Sequence, residues 1–110
     1  MSDILDRATA HFKSQLTGQP QEIDVPEWGT KIYVRPMNGI QHDAIYKLLD
    51  KGQFFEARVE ALLQRAKDAD GKPVFNRVER QELLRSVDPK VIVRITDEMS
   101  QFEETDVKNS

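Results

Sequence analysis

A chain of 110 residues, 38% hydrophobic, 7% aromatic and 32% charged, has material for one core under a heavily charged surface and lies well away from disordered composition. Sixteen Lys and Arg against 19 Asp and Glu give a net charge of -3 with the signs interleaved, which leaves no basic face for a phosphate backbone and argues against nucleic acid as a partner. With no cysteine there is no disulfide framework, thiol nucleophile or thiolate metal site, and His11 and His42 stand alone as potential imidazole ligands, so neither metal nor cofactor is expected.

The N-terminal MSDILDRATAHF carries acids where a secretion signal needs positive charge. No apolar run approaches the roughly 20 residues that cross a bilayer. A cytoplasmic-type chain with no membrane contact is expected. Ile4, Leu5, Ala8, Phe12 and Leu16 recur at helical spacing, Ser2 or Asp3 can cap, and Gly18 and Pro20 stop the run, so an amphipathic helix is predicted over Ser2 to Thr17. Its link TGQPQ is loose. Residues 1–20 either cover the core or swing out to meet a partner, and the sequence leaves both open.

In QEIDVPEWGTKIYVRPM, Ile23 and Val25 alternate with polar residues, as do Ile32 and Val34 beyond a Pro/Gly connection. This predicts a β-hairpin with those four side chains on its buried face and Tyr33 pointing away. A lone ribbon is marginal in water, so its apolar face must lie on helices. Trp28, in the connecting turn, is a candidate partner anchor, against the competing expectation that its ring folds back onto the hairpin and helices.

Asn38 can cap a helix to about Leu49 with Ile40, Ala44, Ile45, Leu48 and Leu49 inward, before Lys51-Gly52 breaks it. A longer helix from about Gln53 to Lys67 carries the stripe Phe55, Val59, Leu62, Leu63 and Ala66. Phe54 and Phe55 are neighbours, and adjacent helical side chains diverge by about 100°, so one of the two is left for an interface or for the first helix. Phe54 is the candidate.

The stretch KDADGKPVF then offers Asp-x-Asp-Gly, as a calcium loop does. With Gly71 at the sixth position of such a loop, Ala66 occupies the first and Arg77 the twelfth, where calcium needs a carboxylate. Metal binding fails on that register, and a polar turn remains. Asn76 with Glu79 forms a capping-box pattern, and Val78, Leu83, Leu84 and Val87 line one side of the helix it opens, its expected inward face. Asp88-Pro89 reads as cap and first helical residue of a last helix with Val91, Ile92, Ile95, Met99 and Phe102 inward, followed by a polar tail over residues 104–110.

The whole chain, 1–110, is thus expected to be a single α+β domain, mostly helical: one N-terminal β-hairpin on a bundle of about four helices, preceded by an amphipathic helix. No nucleophile elbow, HExxH or glycine-rich phosphate loop occurs, and no catalytic residues are predicted. Arg77, Arg80 and Arg85 ahead of the Ser86 to Pro89 break admit a small DNA-binding regulator, but Glu79 and Glu82 share their helix and Asp-Pro replaces the usual turn glycine.

The order of VPEWG (Val25 to Gly29), IYVR (Ile32 to Arg35), a helical stretch and DADGKPVF (Asp68 to Phe75) resembles the tail assembly chaperones of long-tailed, siphovirus-type bacteriophages, over roughly residues 22–103. The resemblance implies a non-catalytic protein of the host cytoplasm, absent from the mature virion, that binds the tape-measure protein and helps recruit tail tube subunits. It leaves self-association open. A structural tail completion or connector protein is the alternative. For partner contacts it directs attention to Phe54, Trp28 and the first-helix residues Ile4, Leu5, Phe12 and Leu16. It also implies a longer frameshifted product, for which GTA AAA AAC codons at Val107-Lys108-Asn109 would supply a slippery heptamer.

Overall fold

The computed structural model of the chain describes the backbone of residues 3–109 and the side chains of residues 3–100. The order is α1 (Asp3–Thr17), β1 (Gln21–Val25), β2 (Thr30–Val34), α2 (Gly39–Asp50), α3 (Phe54–Arg65), α4 (Arg80–Arg85) and α5 (Pro89–Asn109). This is the expected α+β, mostly helical arrangement, with one hairpin ahead of four helices and one helix before it.

The hairpin is antiparallel and in the register that its alternation demands, with Ile23 opposite Ile32 and Val25 opposite Thr30. A 3-10 turn over Pro26–Trp28 joins the strands and ends at Gly29, whose φ of 64° is left-handed. Ile23, Val25, Ile32 and Val34 are all buried and meet Val59, Leu62, Leu63 and Ala66 of the α3 region and Val91, Ile92, Ile95 and Met99 of α5. One core therefore lies between the ribbon and the α3/α5 layer, as an isolated ribbon requires. Trp28 is half-buried against that core, its ring edge-on to Phe75 with centroids 5.8 Å apart. The folded-back expectation for Trp28 thus describes its position.

Local signals set the helix starts. Asn38 Oδ1 accepts from the Gln41 amide and Gln41 Oε1 accepts from the Asn38 amide, both at 2.9 Å, a reciprocal capping box. Asn76 and Glu79 make the same exchange at 3.2 and 2.8 Å. That second box opens a 3-10 turn (Arg77–Glu79) that runs into α4, not a full helix from its first residue. The difference matters for Val78, which was expected inside and is 91% exposed. In a 3-10 turn residues advance by about 120°, so the 3.6-residue stripe that collects Leu83 and Leu84 does not extend back to Val78.

Ile40 is the other correction, expected inside and 84% exposed. It precedes Ile45, the buried residue of α2, by five positions, which at about 100° each puts it roughly 140° around the helix from the packed face. The α5 backbone is helical on to Asn109, and the expected inward Phe102 lies outside the described side chains.

The α3 helix ends earlier than its apolar stripe suggests. Ala66 is already extended, with ψ at 116°, because Lys67 joins the sheet: its amide donates to Tyr33 O at 3.0 Å and its carbonyl accepts from the Tyr33 amide at 2.9 Å. The following turn closes on Asp68, whose Oδ1 accepts from the amides of Asp70 (2.9 Å) and Lys72 (3.0 Å), while Gly71 takes a φ of 83°. The Asp-x-Asp-Gly carboxylate is thereby engaged with its own backbone. Val74 and Phe75 then return to pack against the core.

One ion pair ties the turn region to α3. Glu60 is buried, and its carboxylate accepts from both terminal nitrogens of Arg77 (2.9 and 2.6 Å) and from Gln64 Nε2 (2.6 Å). The Arg77 hydrogen bonds, opposed by burial, hold the Glu60 carboxyl below its ordinary value. The pair is lopsided, since the Glu60 side chain is 8% exposed and that of Arg77 65%. Arg77→Ala, which strands a buried carboxylate, is expected to cost about 1–3 kcal/mol in urea unfolding. Glu60→Gln releases Arg77 to water and is expected to cost less than 1 kcal/mol or so. A depressed carboxyl contributes stability that is present above its ordinary value and lost as pH falls through the folded-state value. The gap between wild type and Arg77→Ala is therefore expected to narrow as pH drops from 7 toward about 3.

Candidate interaction surface

The helices α2, α3 and α5 enclose an open cleft of about 270 Å³, with Met37, Tyr46, Leu49 and Phe54 among its apolar walls and Arg58 and Asp97 among its polar ones. Each wall follows from the local sequence. At the start of α3, Phe55 turns onto the core and its neighbour Phe54, about 100° away, is left 66% exposed. On α2, Ile45 takes the buried position and Tyr46 faces out at 48% exposure, its ring stacked on that of His42 with centroids 4.1 Å apart.

The polar side of the cleft is fixed, not loose. Arg58 Nη1 donates to Asp97 Oδ1 (2.9 Å), Thr96 Oγ1 (2.7 Å) and Val93 O (3.2 Å), binding α3 to α5. The Thr96 hydroxyl in turn donates to Ile92 O at 2.9 Å. Asp43 and Lys47 pair along α2 at 3.4 Å. A surface with charges matched internally and aromatic side chains left to solvent is suited to an apolar partner, and Phe and Tyr are residues that carry energy at such contacts.

The predicted contact residues divide into separate places. Phe54 lies on the cleft, joined there by Tyr46 and Met37, which the sequence did not single out, and by Leu49, expected in the core. The i, i+4 relation of His42 and Tyr46 was the legible signal for the exposed aromatic on α2. Ile4, Leu5, Phe12 and Leu16 lie on α1, which contributes no buried residue: Ile4 is 69% exposed, Leu5 51% and Leu16 37%, with Phe12 half-buried. Trp28 belongs to the hairpin turn already described.

Among the described residues no group of three or more His, Asp or Glu side chains could hold a metal ion. No helix among them is long and apolar enough to cross a membrane. Of the three arginines that hinted at DNA, Arg77 is engaged with Glu60 and Arg80 with Glu56 (3.4 Å), and α4 is only six residues long.

No protein-family model matches the chain, and no curated protein matches it in sequence. Among solved structures, the bacteriophage HK97 tail assembly chaperone superposes with a TM-score of 0.63 at 24% identity, covering 89% of this chain and 91% of that one. At that identity the likeness is one of fold, and the fold of this chain is that of the HK97 tail assembly chaperone.

Proposed function

We propose that this chain is a phage tail assembly chaperone that binds the tape-measure protein and helps recruit tail tube subunits, acting without catalysis in the bacterial host cytoplasm. The observation that carries the reading is the shared fold with the HK97 chaperone over nearly the whole of both chains. The cleft of α2, α3 and α5, with Tyr46 and Phe54 on its apolar wall, agrees with it, since an amphipathic helix seats its apolar stripe against such side chains. The α1 stripe of Ile4, Leu5, Phe12 and Leu16 offers a second apolar face of the same kind.

A chaperone leaves when assembly ends, whereas a tail completion or connector protein stays. Mass spectrometry of purified particles separates the two. Absence of this chain from particles whose tube protein is abundant supports the chaperone, and recovery in fixed ratio to the other tail components replaces it with the structural role.

A further inference from the structure

The sequence of α1 provides apolar side chains for one face, of which Phe12 is half-buried and none is fully buried, so packing alone holds the helix weakly. Its C-terminal end supplies a second hold. The last carbonyls of a helix lack intrahelical partners and carry the negative end of the macrodipole, a place for a cation. The last turn of α1 contains no basic residue. The cation comes instead from just beyond β2: Arg35 Nη1 donates to both Leu16 O and Gly18 O, across the end of α1 and into the link to β1. Arg35 is itself footed on the body, since its carbonyl accepts from Arg65 Nη2 of α3 at 3.1 Å, and Arg65 is one of the residues of the α2/α3/α5 cleft.

We propose that Arg35 is a latch for α1: its guanidinium fixes the pose of the helix end, and opening the latch lets α1 swing about Gly18 and Gln19. Pro20, with its ring-fixed φ, narrows the swing on the β1 side of the link. Arg35 is a positioning residue. Through it, the direction in which the α1 apolar stripe faces is decided by a side chain nineteen residues away in sequence and rooted beside the cleft.

The test is 15N relaxation of the full chain and of two variants, Arg35→Ala and Arg35→Gln. Arg35 is exposed, and the β2, α3 and α5 amides report in the same spectra whether each variant is folded. In wild type the α1 amides are expected to share the order of the core, with order parameters near 0.85, and in both variants to fall below about 0.6 while core amides stay unchanged. Unchanged α1 order in folded Arg35→Ala and Arg35→Gln, or an α1 already mobile in wild type, would overturn the latch.

Discussion

Ile92→Ala is expected to lower the unfolding free energy by about 2–5 kcal/mol, a large share of the 5–15 kcal/mol that holds a domain of this size together. Ile92 is 0% exposed and belongs to the core cluster shared by the hairpin, α3 and α5. Truncation there removes apolar contacts and leaves a cavity whose walls are held by strands on one side and helices on the other, so collapse can recover little. Ile40→Ala is the matched control. At 84% exposure it is expected to change stability by no more than about 0.5 kcal/mol. Urea unfolding followed by circular dichroism compares the two, and similar losses for both would contradict the packing described.

The second large effect falls on partner binding. Under the proposed function, Phe54→Asp is expected to weaken tape-measure binding by about 30-fold or more, the consequence of losing an aromatic hot spot worth about 2 kcal/mol and placing a charge against an apolar partner. Stability should stay within about 0.5 kcal/mol of wild type, since the ring is 66% exposed. Val78→Asp, at a residue 91% exposed on the 3-10 turn, is expected to alter neither property. Titration of the copurified complex with each variant reads the difference. Equal affinity for Phe54→Asp and wild type would move the docking site away from the cleft.

Legibility in the sequence followed the range over which each cause acts. The hairpin face of Ile23, Val25, Ile32 and Val34, the caps at Asn38 and Asn76 and the start of α5 at Pro89 depend on residues a few positions apart, and all were readable. Ile40 and Val78 misled because each sits near the first turn of its element, where a stripe drawn from spacing alone has not yet been fixed by packing. Nothing local announced that Lys67 would leave α3 to bridge Tyr33, that Glu60 would be buried under Arg77, or that Arg35 would grip the end of α1. Those ties connect residues 17 to 34 positions apart and exist only once the ribbon has settled on the helices. For the candidate surface, the adjacency of Phe54 and Phe55 was enough to place one ring outside, but the cleft that Phe54 borders is made by three helices and has no linear pattern.

The proposed function requires this chain to bind a tape-measure protein, and a partner captured through its apolar stripe is expected to stay soluble while bound. Co-expression with a tape-measure protein from the same genome, scoring the soluble fraction of that protein and its copurification with this chain, tests the proposal most directly. The tape-measure protein is expected to be soluble only in the presence of this chain and to elute with it. A tape-measure protein that stays insoluble and unbound beside abundant, folded copies of this chain would contradict the account.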